Sequence, residues 1–184
     1  MAKNLSLNKI LSLLDDAKVV VEATRNLPRC VAHQDCHARN LFPWTEKNGL
    51  SVTYAVDWAS AGVAPIDADA GSLTGGGIWW GQAEADMIAA NEPAIFDSYV
   101  QGLVSSGWDG EFKDVRLGYL GQVSSYVVML PFVVALIVSD HPWKPLILDR
   151  VGVDEETAAE QMAERLPVFV PLLAEAVSLA KQLD

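Results

Sequence analysis

The chain has 184 residues, of which 51% are hydrophobic and 20% charged, and its formal net charge is −11. This length suits one folded domain with a sizeable core, and the composition excludes an intrinsically disordered chain. The acidic balance argues against a nucleic-acid partner bound through phosphates, because such binding requires clustered Lys and Arg.

The sequence predicts a cytoplasmic protein without a membrane partner. Its first residues, 1–4, contain no apolar signal core. The most apolar run, residues 127–138, contains Pro131 and is short for a membrane span, so it predicts a buried core helix. Cys30 and Cys36 lack a Cys-x-x-Cys spacing and predict two reduced thiols, with a disulfide left as the alternative.

The first predicted elements are a helix and a short strand. Residues 5 to about 27 carry apolar side chains at helical spacing, including Ala17 and Val21 on the face expected to point inward. Residues 29–32 predict a strand that leads into a loop with His33, Asp35 and Asn40. The polar side chains of this loop therefore come directly after the predicted strand.

A β hairpin is predicted after the loop. Residues 41–44 and 50–56 are the expected strands, and Asn48-Gly49 between them favours a tight reversal because both residues tolerate positive φ. The hairpin would return the chain to Asp57 beside Asn40. Residues 59–65, which are mostly small, predict a loop.

The remainder of the chain predicts helices. A helix capped by Asp67 or Asp69 is expected to end near Leu73, before Gly75-Gly76-Gly77. Further helices are expected over residues 84–90, from Pro93 onward, over 113–139, and from Asp154, with Pro167 and Pro171 dividing the last region. The predicted fold class is α+β, mostly helical, with residues 1–184 forming a single domain around one small hairpin.

The loop and the residue after the hairpin carry the candidate chemistry. A loop carboxylate such as Asp35 can accept a proton from a substrate hydroxyl as it attacks an electrophile. Asn40 and Asp57 offer an amide and a carboxylate oxygen, and Mg²⁺ prefers one or two carboxylates together with phosphate oxygens. The sequence therefore predicts Asp35 as a base and Asn40 and Asp57 as Mg²⁺ ligands, with His33 bracing the loop.

The run His33-Gln34-Asp35-Cys36-His37-Ala38-Arg39-Asn40, followed by Val56-Asp57-Trp58, resembles the aminoglycoside phosphotransferase family. That family includes choline-kinase-like and homoserine-kinase-like enzymes and shares the protein-kinase fold. The resemblance implies the C-terminal lobe of such a fold, ATP as co-substrate, Mg²⁺ as cofactor and a small-molecule hydroxyl as acceptor. It implies that Asp35, in a catalytic loop begun by His33, is the catalytic Asp that acts as the base, that Asn40 and Asp57 bind the metal and nucleotide, and that Asp69 supports the loop.

The sequence departs from the family pattern in two respects. Gln34 stands where the family usually has Gly, within a loop that also differs at Cys36, Ala38 and Arg39. No stretch before His33 resembles a glycine-rich hairpin followed by a lysine-bearing strand, so the N-terminal nucleotide-covering lobe is expected to be absent. Such an absence would open an apolar hinge surface, compatible with a homo-oligomer or with a lobe supplied separately.

Three alternatives stay open at this point. The chain could be a catalytically incomplete kinase-like fragment or a binding and interaction module, or it could be a metal-dependent hydrolase that uses the same acids. Trp79 and Trp80, with Glu84 and Asp86, could line a pocket for a cationic substrate, although a packed or solvated surface is the interpretation we favour.

Overall fold

The computed structural model describes residues 7–79 and 84–183, a part of the chain that folds into six α-helices and four short β-strands. In chain order they are α1 (Leu7–Thr24), β1 (Arg29–Ala32), β2 (Leu41–Thr45), β3 (Ser51–Ala55), β4 (Gly62–Pro65), α2 (Ala68–Trp79), α3 (Ala85–Ser105), α4 (Phe112–Val138), α5 (Lys144–Val151) and α6 (Glu155–Ala180). Helices predominate, which confirms the α+β class, whereas the protein-kinase-like topology stays a prediction.

Helix α4 is the centre of the core, because it packs against α6, α2 and α1. Its first half is fully buried at Leu117, Leu120 and Val123, which meet Phe169 and Leu173 of α6. On α1 the inward residues are Ala17 and Val20, whereas Val21 is 48% exposed, so the predicted inward face is wrong at that position. Residues 5 and 6 of the predicted helix lie outside the described residues.

The second half of α4 differs from the first. By length and composition alone this helix could cross a membrane, a test that core helices of soluble proteins also pass. The prediction of a buried run over residues 127–138 is correct at Val127, Val133 and Ile137 but wrong at Met129 and Phe132, which are more than half exposed. One end of α4 is therefore core, and the other carries an open apolar face.

The strands form two separate antiparallel pairs that frame the loop after β1. The predicted hairpin is confirmed: β2 pairs with β3, and Gly49 turns the chain at a φ of 85°. The predicted loop over residues 59–65 is wrong in part, because Gly62–Pro65 is strand β4, paired with β1. The four residues of β4 show no alternation of apolar and polar side chains, so the sequence alone does not predict a strand there. β4 is defined by its pairing with β1, which is distant in the sequence.

Helix α2 continues through Gly75–Gly77, where the sequence predicted a break. A Cβ at Gly75 would lie 2.3 Å from Cδ2 of Tyr126, and a Cβ at Gly76 would lie 3.3 Å from that of His37. Each glycine costs a helix about 1 kcal/mol relative to alanine. Close packing against α4 and against the loop offsets this cost, so here the glycines serve contact rather than termination.

Prolines also fail to end helices in this fold. Helix α3 contains Pro93, so the two predicted helices at residues 84–90 and from Pro93 onward are one element. Helix α6 runs unbroken through Pro167 and Pro171, against the predicted division. Its predicted start is confirmed, because the Asp154 side chain accepts a hydrogen bond of 2.9 Å from the Thr157 N–H. Tertiary packing outweighs the local cost of a proline in both helices.

Candidate active site

The loop that joins β1 to β2 is fixed by a carboxylate from α2. Asp69 accepts hydrogen bonds from two successive backbone N–H groups, that of His33 at 2.7 Å and that of Gln34 at 2.9 Å. Gln34 has a φ of 63°, a left-handed conformation that a non-glycine residue adopts at some cost. The two charge-assisted bonds to Asp69 lie at the strained residue and its neighbour, so they stabilise the loop where it needs support.

His33 connects this loop to the end of the hairpin. Its ring is almost fully buried, Nε2 lies 2.8 Å from the carbonyl oxygen of Val56, and Nδ1 lies 3.3 Å from the backbone N of Asp35. A carbonyl only accepts and an N–H only donates, so these partners place the ring proton on Nε2. The ring also packs against Trp58 at a centroid distance of 4.6 Å. Both nitrogens are thus engaged in holding the loop.

The Asp35 carboxylate is held at both oxygens yet remains accessible. Asn40 Nδ2 donates to Asp35 Oδ2 at 3.0 Å, and His37 Nε2 lies 3.3 Å from Asp35 Oδ1. The Asp35 side chain keeps 44% of its surface exposed, whereas that of His37 keeps only 8%. A carboxylate oriented by two groups and open to solvent is suited to meet a substrate proton. Sequence reasoning missed His37, because only the folded loop turns its ring toward Asp35.

Asn40 and Asp57 are brought together by the hairpin. The first register pair of β2 and β3 is Leu41 with Ala55, and the Val56 N–H donates to the Asn40 carbonyl at 3.0 Å. Asp57 follows in a left-handed conformation, φ 62°, with its side chain exposed. Asn40 itself is buried, and its Nδ2 also donates to the Asp35 carbonyl at 2.9 Å. Asp35 and Asn40 are therefore in hydrogen-bond contact, and the residue before Asp57 is bonded to Asn40 through the backbone.

Comparison with known proteins gives one match. The family model described as "Phosphotransferase enzyme family" matches residues 3–99, more than half of the chain, a span that includes the loop, the hairpin and Asp69. The chain belongs to the phosphotransferase enzyme family. No curated protein and no solved structure matches it.

The oxygen atoms of the two predicted ligands, Asn40 and Asp57, have the chemistry of a partial Mg²⁺ site and not of a closed one. Within residues 7–79 and 84–183, no group of three or more His, Cys, Asp and Glu side chains is arranged to hold a metal ion. Asn40 and Asp57 supply one amide and one carboxylate, which is the partial set that Mg²⁺ uses when phosphate oxygens and water complete its shell. The donor chemistry thus fits a cation that arrives with phosphate groups.

Cys36 stands beside Asp35, and its surroundings disfavour the thiolate. Burial, followed by the negative charges of Asp69 and Asp35, raises the pKa of the Cys36 thiol to about 11. Burial also raises the pKa of Cys30, and both thiols are free. The expectation of two unpaired cysteines is confirmed, and because a thiolate is the reactive form, the raised pKa of each thiol lowers its reactivity.

Two of the hollows that reach the loop bear on the candidate site, and they approach it from different sides. One, of about 670 Å³, reaches the back of the loop at Cys36 and Asp69, whose carboxylate is already engaged by backbone N–H groups. The other, of about 370 Å³, has Asp35 in its wall together with apolar residues of α2, α4, α5 and α6. We call this second hollow the Asp35 cavity. Because it opens on the exposed carboxylate, it is the one placed to hold a reacting molecule.

The predicted cationic pocket near the end of α2 is not formed by the described residues. Trp79 packs against Tyr126 with a ring-centroid distance of 6.1 Å and against the buried residues of α4 and α6. Glu84 and Asp86 are exposed, and the Asp35 cavity includes neither of them. Trp80 lies outside the described residues. Trp79 is packed against the core on one side and lines the Asp35 cavity on the other, without either of these two acids.

Proposed function

We propose that this chain is the catalytic lobe of an ATP-dependent phosphotransferase that transfers the γ-phosphate to a hydroxyl group of a small molecule. The observation that carries the proposal is the Asp35 carboxylate, which is held by Asn40 and His37 but still open at the wall of a cavity. Membership of the phosphotransferase enzyme family supports it, since its members generally use ATP and Mg²⁺.

Asp35 would act on the acceptor hydroxyl. Its two oxygens are oriented from within the protein, so it can accept a hydrogen bond from the hydroxyl and take its proton as the new bond to the γ-phosphorus forms and the bond from that phosphorus to the leaving ADP breaks. Phosphoryl transfer requires little covalent chemistry of the protein, and positioning supplies much of the rate. Asp35, held in a fixed orientation, would therefore orient the attacking hydroxyl group.

Asn40 and Asp57 would hold Mg²⁺ against the phosphates. The Asn40 amide nitrogen faces Asp35, so the carbonyl oxygen Oδ1 is the atom of this side chain that a cation would use. Asp57 is exposed directly after the hairpin and would contribute the carboxylate. Bound there, the ion would neutralise charge on the transferring phosphate.

Two further residues would position this machinery without touching the substrate. His33 ties the loop to the carbonyl of Val56, one residue before Asp57, so it couples the base to the metal ligand. Asp69 fixes the backbone at the start of the loop. These contacts are structural, and both residues would act through Asp35 and Asp57.

The experiment is a transfer assay with radiolabelled ATP, Mg²⁺ and a set of hydroxyl compounds that includes an amino alcohol, an aminoglycoside and an apolar alcohol. We expect Asp35→Asn to lower transfer by about 10²- to 10⁴-fold while Mg²⁺–ATP still binds, because a general base is lost. We expect Asp57→Ala to weaken the Mg²⁺-dependent part of ATP binding. Asp109→Asn, at an exposed acid in the segment between α3 and α4, is the matched control.

Unchanged transfer in both Asp35→Asn and Asp57→Ala would overturn the assignment. Phosphate release that is the same with and without every acceptor would instead identify a hydrolase. The assay therefore separates the transferase from the metal-dependent hydrolase on one set of samples.

A kinase-like interaction module is the second candidate, and one observation favours it. Phe42, Trp44 and Tyr54 lie on the same face of the hairpin, where Phe42 pairs with Tyr54, and all three are more than half exposed. Exposed aromatic clusters of this kind are typical of protein contact surfaces. This candidate predicts Mg²⁺–ATP binding without turnover, and association with a second protein or a second copy that Trp44→Ser abolishes in sedimentation experiments.

A further inference from the structure

We infer that the acceptor of this phosphotransferase is an uncharged alcohol with a largely apolar body, bound in the Asp35 cavity. The inference rests on the proposed function and adds the substrate class to it. It comes from the chemistry of the cavity wall, whose described residues belong to four helices, to the loop and, at Trp143, to the segment just before α5.

The wall of the Asp35 cavity is apolar apart from one end. Among the described residues that line it, Asp35 is the one charged side chain, and Tyr126 is the one neutral side chain with a hydroxyl. The rest are aliphatic or aromatic, or carry a thioether. A cavity of about 370 Å³ lies within the ordinary range for sites of small organic ligands.

The polar end is fixed by contacts already described. Tyr126 Oη lies 3.0 Å from the Ser72 hydroxyl, and burial raises the pKa of this phenol, so it remains protonated at neutral pH. Asp35 is oriented by Asn40 and His37. An occupant would therefore meet hydrogen-bonding groups at the loop and apolar groups further along, which suits a molecule with its hydroxyl at one end.

Four apolar side chains of the cavity wall are unusually exposed to solvent. Phe132 is 62% exposed, Trp143 60%, Leu146 61% and Met129 52%. Burying apolar surface is worth roughly 25 cal/mol per Å². An apolar occupant would cover these four side chains, so they provide the main free energy of binding.

A polycationic acceptor does not fit this wall. A ligand with several ammonium groups requires several carboxylates, because a charged amine moved into an apolar site without a carboxylate partner pays a large desolvation cost. Asp35 is the one described carboxylate in the cavity, and the reaction requires it to face the hydroxyl. The wall therefore selects neutral alcohols against aminoglycosides.

Binding is tested first, without nucleotide, using the neutral fluorescent probe N-phenyl-1-naphthylamine and its displacement by 2-(2-naphthyl)ethanol or kanamycin. We expect the naphthyl alcohol to displace the probe and kanamycin to leave it bound. Phe132→Gln and Leu146→Gln, both exposed in the free protein, should each weaken binding of the alcohol at least fivefold. Val104→Gln on α3, where Val104 is 51% exposed, is the matched control and should bind as the unaltered protein does.

Transfer from ATP is then measured to each compound. Transfer to the naphthyl alcohol that falls with Phe132→Gln in parallel with binding would support the inference. Preferential transfer to kanamycin would overturn it, as would alcohol binding that both Gln variants leave unchanged. Apolar alcohols that fail to bind while phosphatidylcholine vesicles bind through Phe132 would also overturn it, because this face would then be a membrane contact.

The two proposals fail in different ways. Alcohol binding that depends on Phe132 and Leu146, with no transfer to any acceptor, would overturn the proposed function and leave an apolar ligand site. Transfer that depends on Asp35 but ignores both wall substitutions would support the function and overturn the inferred acceptor class. Thermal unfolding of each variant shows whether a loss of binding is a loss of fold.

Discussion

The imidazole Nε2 of His37 lies 3.3 Å from Oδ1 of Asp35, on the side of the carboxylate opposite Asn40. The His37 side chain is 8% exposed and packs where α2 has Gly76 instead of a larger residue. A buried ring in a fixed position restricts the rotation of the exposed acid beside it. His37 is therefore a positioning residue for the proposed base.

Replacing His37 tests this restriction. We expect His37→Ala to lower kcat by about ten- to a hundredfold with KM within about twofold, because a misoriented base costs rate rather than binding. His37→Gln can place an amide N–H near the Nε2 position and should restore most of the loss. Steady-state kinetics of the two variants check the prediction, and an equal loss of kcat in both would contradict it.

Asp69→Asn should destabilise the loop. The wild-type carboxylate accepts two backbone hydrogen bonds with its two oxygens, whereas an amide offers one oxygen and turns an NH₂ group toward the other N–H. We expect a loss of about 1–3 kcal/mol in the free energy of unfolding. Urea denaturation measures it, with Asp109→Asn as the isosteric control at an exposed site. Equal stability of the two variants would show that these bonds are dispensable.

Asp67 should make the stability of the fold depend on pH. The residue is fully buried, and neither carboxylate oxygen has a hydrogen-bond partner among the described residues. Burial raises the pKa of its carboxyl to about 8, and the positive charge of Arg116 offsets only part of that rise. The unfolded chain releases this proton near pH 4, so between about pH 4 and pH 8 the folded state binds one more proton than the unfolded state.

Stability therefore falls as pH rises through this window, and Asp67→Asn removes the effect because an amide does not titrate. We expect the variant to match the wild type near pH 4 and to exceed it by several kcal/mol near pH 8, on the scale of about 1.4 kcal/mol per pKa unit. The difference between the two unfolding curves isolates this group from the other acids. A constant difference across the range would refute the raised pKa.

Two glycine substitutions should act in opposite directions. A Cβ at Gly75 meets the Tyr126 ring at 2.3 Å, so Gly75→Ala should cost about 1–3 kcal/mol although alanine favours helices. Gly102 in α3 has open space, and Gly102→Ala should add up to about 1 kcal/mol. Thermal unfolding of both variants tests whether α2 needs glycine for contact. Stabilisation by both would show that Tyr126 yields to the added methyl group.

The sequence predicted the parts of this fold that depend on near neighbours. The turn at Gly49 and the strands on each side follow from residues within one short segment, and both are present. The start of α6 at Asp154 is likewise local. The spacing from Asp35 to Asn40 also predicted part of the candidate site. Both residues belong to one loop, which brings their side chains, five residues apart, into hydrogen-bond contact.

The remaining features depend on partners far away in the chain. β4 exists through its pairing with β1, and the glycines of α2 remain helical because Tyr126 fills the space they leave. His37 and Asp35 are two residues apart, but the loop that carries them is held by Asp69, 36 residues after His33. Such contacts are set by three-dimensional packing, and no window of local sequence contains both partners.

Helix α4 has a buried first half and an open second half, and the two halves differ in how well they tolerate amino-acid replacements. Leu117, Leu120 and Val123 hold the body of the protein together, so few replacements are tolerated there. Met129 and Phe132, two turns further on, face outward and support little of that packing. These two side chains can therefore be replaced during evolution, which would change the ligands that the protein binds. The core packing that keeps Asp35 in place would stay the same.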